Sequence, residues 1–345
     1  MTAAPLSAGL ARLRRARTRH RARASAALAL AILAVAALTL SIGHTVTPPL
    51  DLLRALAGAE VPGTSFALHQ LRLPRAVLSL LSGAAFGLGG AVFQTMLRNQ
   101  LASPDIVGIT SGAGAAAVAG IVLFSLSGAA VSLLAVGGGL GVALLIYLLA
   151  WRDGVAGTRL ILVGIGMSAM LQSATLYILS KAPSWTLQEA TRWLAGSVNG
   201  AQLGQALPLL AALAVFGTAI FLAARDLEAL RLGDDMAAAL GVRLGRVRLM
   251  AVLAATGLVA VATAMAGPVA FVAFLSGPVA SRLLGPGRAP FAAAALTGAL
   301  LVLAADFTGQ VLLPSRYPVG VVTGLLGAPY LVYLVIRQNR RGTPT

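Results

Sequence analysis

Residues 249–281 read LMAVLAATGLVAVATAMAGPVAFVAFLSGPVAS, 33 consecutive positions without Asp, Glu, Lys or Arg. As one straight helix they would run about 50 Å at ~1.5 Å per residue. The hydrocarbon layer that a membrane helix crosses is only ~30 Å thick. Two Gly-Pro pairs interrupt the run, Gly267-Pro268 and Gly277-Pro278. Proline removes a backbone donor and pushes the preceding residue out of helical geometry. The spacing therefore predicts a turn near 266–268 and two crossing helices, roughly 247–266 and 269–285.

Working outward, further charge-free runs cover 26–43, 76–97, 106–124, 129–150, 160–180 and 205–224, and two more follow at roughly 291–312 and 318–336. With the split run the total is ten, and the expected fold is an all-α, polytopic membrane protein. Composition agrees. The 345 residues are 58% hydrophobic and 10% charged, with mean hydropathy +0.88, whereas soluble chains carry about 25% charged residues. Glycine is abundant (39 residues) and often recurs every fourth position, as at Gly83/Gly87, Gly108/Gly112, Gly137/Gly141 and Gly320/Gly324. That spacing lets helix backbones approach closely in lipid, and it reads as packing rather than as a specific dimer motif.

The formal charge of +16 does not signal nucleic acid, because the basic residues lie between apolar segments and not on one face interleaved with aromatics. Both chain ends are arginine-rich. An even helix number with cytoplasmic termini puts 20 of the 26 Lys and Arg in the cytoplasm, leaving Arg54, Arg72, Arg75, Lys181, Arg192 and Arg316 outside. That asymmetry sets the orientation. Residues 1–25 then form a basic cytoplasmic segment, 26–337 a transmembrane domain with a cytoplasmic segment at about 225–246, and 338–345 a cytoplasmic tail. The first apolar run is longer than the ~7–15 residues of a signal-peptide core, so it is expected to be retained as a membrane helix.

Much chemistry is missing from the sequence. There is no cysteine, no G-x-x-x-x-G-K-[ST] loop and one lysine, Lys181; His20, His44 and His69 are far apart; neither HExxH nor G-x-S-x-G occurs. No catalytic, cofactor or metal residue is expected, and phosphate binding has no loop to support it. An ion-coupled transporter keeps ionisable groups at membrane depth, and the one candidate is Asp306 in LLVLAADFTGQ. It is either a proton or substrate contact, or a helix-end carboxylate that hydrogen-bonds a neighbouring helix or meets the outer interface. Its late position in the segment, with no basic neighbour in sequence, favours the second.

The stretch HQLRLPRAVLSLLSGAAFGLGGAVFQTMLRNQLASPDIVGITSGAG (69–114) resembles the signature of the FecCD-type permeases, importers of ferric siderophores, haem and cobalamin. RLILVGIGMSAMLQS (159–173), LGDDMAAALGV (232–242), AGPVAFVAFLSGPVASRLLG (266–285) and YPVGVVTGLLGAPYLVYL (317–334) look like the same family in the same order. The resemblance implies a type II ABC importer permease with ten membrane helices, paired with a second permease subunit, identical or paralogous, in the bacterial inner membrane. Separate ATP-binding-cassette ATPase subunits drive it, and a periplasmic or lipid-anchored substrate-binding protein delivers an iron(III)–siderophore; haem or cobalamin is the alternative cargo. An ion-coupled secondary transporter is the alternative outside the family.

By the same resemblance, Arg72 and Arg75 match arginines that dock the binding protein, against the plainer reading of cations snorkelling to the interface. The stretch 228–242 matches coupling helices seated in the ATPase. There Gly233 ends one short helix, Asp234 and Asp235 start and cap the next, and Leu230, Leu232, Met236 and Leu240 supply the contact; an ordinary solvated loop is the plainer alternative. Asn99 and Leu101 match a cytoplasmic gate, with Gln100 where the family usually has proline, and Gly157 and Thr158 would form its other side. SGP at 276–278 also departs from the family pattern.

Overall fold

The computed structural model describes residues 4–43, 46–104, 108–150, 157–285, 287 and 289–342. Among them the chain is almost wholly helical, with one isolated bridge between Ile42 and Val46. His44, Arg152 and Arg288 lie outside the described residues, as does the side chain of Thr158. Among the described residues seven helices are long and apolar enough to cross a membrane, and three shorter apolar ones, Ile109–Leu123, Val272–Leu284 and Val319–Leu334, occupy the remaining predicted positions. This is a multi-pass membrane protein.

Helix α1 is continuous over Ala4–Ser41, so the basic segment and the first crossing form one rod. A short α2 (Pro49–Leu56) and a π turn (Ala67–Arg72) lead into α3 (Leu73–Met96). Then come α4 (Ile109–Leu123), α5 (Ala129–Ala150), α6 (Gly157–Ser180) and the short α7 (Ser184–Leu194). The next crossing is α8 (Ala206–Ala212), a π turn and α9 (Thr218–Leu222). Two short helices follow, α10 (Ala224–Leu230) and α11 (Asp234–Ala239), then α12 (Leu244–Ala266), α13 (Val272–Leu284), α14 (Phe291–Phe307) with a π turn at Thr308–Leu312, and α15 (Val319–Gly342).

The hub is α3, enclosed by α12, α13 and α14. Gly83 meets the backbone of Gly298, and Gly87 meets that of Ala294. A step of four along α3 is thus matched by a step of four back along α14, a strict antiparallel register. Gly90 meets the Ala273 backbone of α13 in the same way. Small residues permit this approach where lipid supplies no hydrophobic drive. Of the other fourth-position glycines, Gly112 packs against Gly138 of α5, whereas Gly137 and Gly141 have nothing within 4 Å of an added methyl.

The predicted break in the long apolar run is present. α12 ends at Ala266, and Gly267 follows with φ +72°. α13 starts three residues later than predicted because Phe271 also adopts a left-handed φ of +62°. The second Gly-Pro pair does not break the chain, since Pro278 lies inside α13. Its missing N–H should orphan the carbonyl four residues back, that of Phe274. The Gln94 side-chain amide, from α3, donates to that carbonyl at 2.9 Å. One buried amide repairs the prolyl gap.

Candidate functional site

The residues singled out in the sequence gather at the two ends of the bundle. At the end where α3 begins, Arg72 is buried, and its Nη1 donates to the carbonyls of Leu40 (2.8 Å) and Ser41 (3.1 Å) and to Thr47 Oγ1 (3.0 Å). It therefore caps the last carbonyls of α1, whose orphan acceptors need donors. Arg75, one turn on, donates from Nη2 to Asp306 Oδ2 at 2.7 Å. Asp306 is 1% exposed and Arg75 20%. Arg75 lies eight residues before Gly83 and Asp306 eight after Gly298, so the ion pair continues the same helix register.

The two arginines singled out in the sequence thus both hold partners within the chain. Asp306 is the carboxylate that reaches a neighbouring helix, and its basic partner, 231 residues away, was invisible to local sequence. Beyond the ion pair both helices pass into π geometry, at Ala67–Arg72 and at Thr308–Leu312. The two wide turns border a cavity of about 740 Å³ lined by Gln70, Arg72, Arg75, Gln310 and Arg316, with Asn199 from the loop after α7. Arg316 also borders a second cavity of about 1190 Å³ alongside Glu189, Arg192 and Trp193. π turns often mark functional positions.

At the opposite end, Gly233 separates α10 from α11 as expected, with φ +107°. Asp234 and Asp235 open α11, but neither side chain caps it. The Asp234 carboxylate instead meets Arg248 of α12 at 2.7 Å and, at 3.6 Å, Arg98 just past α3. Of the four expected contact residues, Leu232, Met236 and Leu240 are exposed, while Leu230 packs into the core. Leu230, the last residue of α10, takes the inward side, while the other three lie in the turn after it, on α11 and just past α11. Next to this segment, Arg231 donates to the Gly287 carbonyl (2.9 Å) and Glu228 accepts from the Ala289 amide (3.2 Å), which ties α10 to the α13–α14 loop.

Asn99 Oδ1 accepts from the Leu101 amide at 2.8 Å, a side-chain turn that stands in for the proline rigidity absent at Gln100. Leu101 packs against a cluster of Phe274, Leu275 and Leu334. A small cavity of about 60 Å³ joins Leu97 and Arg98 to Leu160 of α6, three residues past Gly157. On the same end Arg282 stacks on Tyr330 and Tyr333, at 5.5 and 5.2 Å from the ring centroids. Among the described residues no group of three or more metal-ligating side chains gathers.

A model of the FecCD transport family matches residues 29–337. The chain belongs to that family. This FecCD protein is 42% identical over 288 residues to a ferric enterobactin transport system permease protein of Escherichia coli, covering 83% of this chain and 87% of that one. It is 41% identical over 305 residues to an achromobactin transport system permease protein of Dickeya dadantii, covering 87% of each. An iron(3+)-hydroxamate import system permease protein of Bacillus subtilis is 36% identical over 312 residues, with 88% and 93% covered. The fold matches a structure described as an inward-facing conformation of a metal-chelate type ABC transporter, with a TM-score of 0.80 at 24% identity over 92% of this FecCD chain and 99% of that one.

Proposed function

We propose that this FecCD protein is the membrane-spanning subunit of an ATP-binding-cassette importer that carries an iron(III)–siderophore across the bacterial cytoplasmic membrane, with both termini inside. The observation that carries the reading is the segment after α9. Met236 on the short α11 and Leu232 and Leu240 on either side of it stand exposed, and the first residue of that helix, Asp234, is tied by ion pairs to Arg248 of α12 and to Arg98 just past α3. An apolar surface fixed to two crossing helices suits a docked motor whose movement has to reach the bundle. A sequence without a nucleotide-phosphate loop needs that motor in a separate subunit.

The names of the relatives, ferric enterobactin and iron(3+)-hydroxamate permeases, support an iron chelate over haem or cobalamin. The arginine-lined cavity at the other end is the proposed docking site of the substrate-binding protein. Arg72 acts there through its field from a fixed position, while Arg75 and Arg316 present donors. A second permease subunit completes the pathway, and Asn99, Leu101, Gly157 and Thr158 form its cytoplasmic gate.

The test is uptake of radiolabelled ferric siderophore into cells and proteoliposomes. Uptake should require ATP and the ATPase, should stop with vanadate, and should persist when ionophores collapse the ion gradients. Accumulation driven by an ion gradient in vesicles containing the isolated chain defeats the proposal.

A further inference from the structure

The Arg75–Asp306 pair sits oddly for a purely structural bridge. Only one of its contacts is made. Arg75 Nε and Asp306 Oδ1 are both buried with no hydrogen-bond partner, although a guanidinium and a carboxylate can satisfy each other with two parallel bonds. The arginine is the more exposed member, at 20% against 1% for the carboxylate, and it borders the 740 Å³ cavity. Around it stand donors without a matching anion, Gln70, Gln310 and the exposed Arg316, and among the described residues lining the cavity there is no carboxylate. Asp306 is therefore the counter-ion that this basic cavity already holds, reaching it from below through the α3–α14 interface.

Resting on the docking assignment made above, we infer that Asp306 is an internal competitor for Arg75, which an acidic side chain of the docking partner displaces. The partner carboxylate enters the cavity, takes the Arg75 fork from its open side with Arg316 beside it, and leaves Asp306 without its cation. Asp306 thereby lowers docking affinity and sets how readily the partner leaves. The local backbone can follow the exchange: each arm of the pair is rooted in an α-helical turn that adjoins a π turn, Arg75 in the first turn of α3 and Asp306 in the last turn of α14. On the inner side the glycine contacts of Gly83 and Gly298 hold the two helices fixed. A change in the pair thus moves the cavity wall and not the helix crossing.

The experiment uses the intact transporter complex in nanodiscs of neutral lipid, with binding of its substrate-binding protein followed by interferometry at two salt concentrations. Asp306→Asn is expected to bind about tenfold tighter, through slower dissociation, because the competing charge is gone. Arg75→Gln is expected to bind at least about tenfold more weakly and with a shallower salt dependence. The double variant should match Arg75→Gln, since Asp306 has then nothing to compete for. Salt-dependent wild-type binding with Asp306→Asn no tighter overturns the exchange and leaves the docking assignment standing. Wild-type binding that ignores salt overturns both. Should Asp306→Asn fail to fold, Arg75→Gln still decides: a lower melting temperature with unchanged binding makes the pair a structural bridge only, and the proposal fails.

Discussion

Replacing Gly87 with alanine places one methyl carbon against the carbonyl oxygen of Ala294, with the Ala294 carbonyl carbon at 3.0 Å and Ser276 Oγ at 3.1 Å. Carbon contacts settle at about 3.5–4.0 Å, so the α3–α14 backbones have to part by roughly 1 Å, and a gap of that size forfeits up to about half of each contact it opens. A side chain can rotate away from an intruding methyl; a helix backbone cannot. The cost therefore belongs in the upper half of the overpacking range, about 2–3 kcal/mol. Gly137→Ala is the matched comparison, since a methyl there meets nothing within 4 Å. It should be neutral or gain about 0.5–1 kcal/mol from helix propensity. Thermal unfolding of the purified protein in detergent reads the difference. Gly87→Ala should melt roughly 4–6 °C lower, at about 2 °C per kcal/mol for a chain this long, and Gly137→Ala at or above wild type. Equal melting temperatures for the two variants would refute the backbone-contact reading of the hub.

At the coupling end, Leu230→Ala should destabilise the protein by about 2–4 kcal/mol as a core truncation, seen as a lower melting temperature with ATPase binding kept. Replacing Leu232, Met236 and Leu240 together with serine should do the reverse: an unchanged melt and loss of the ATPase on co-purification. Asp234→Asn should cost at most about 1 kcal/mol, because its ion pairs are partly exposed, yet it should lower transport-linked ATP hydrolysis several-fold. Gln94→Leu orphans the Phe274 carbonyl and should cost about 1–3 kcal/mol. Adding Pro278→Ala should recover most of that loss in a double-mutant cycle of melting temperatures.

Membrane crossings were legible because crossing requires length without charge, and that is a local property. The split of the 249–281 run was legible for the same reason, since Gly267 carries its own turn conformation in φ. The second Gly-Pro pair was expected inside one helix and lies there; what sequence does not reveal is the donor that makes this possible, because Gln94 is 180 residues distant from the carbonyl it serves. Asp306 was read as a helix-end carboxylate meeting a neighbour, and only the register of α3 on α14 names that neighbour. Arg72 and Arg75 stand out through the family resemblance, but what each guanidinium touches follows from the path of α1 and α14 around them. In the coupling segment the helix boundaries followed from Gly233. The use of Asp234 as a bridge and not a cap is set by Arg98 and Arg248, which approach from other helices.

The repair of Pro278 by Gln94 also constrains the order in which this sequence was assembled. A proline arriving first, beside an apolar residue at 94, would strand a carbonyl in a dry interior. Glutamine arriving first costs little, because the Phe274 carbonyl has a second lone pair to accept from it. The glutamine is then the permissive change, and the proline, once installed, locks it in place. Across the family, proline at 278 should be found with a donor at 94, while a donor at 94 should occur without the proline.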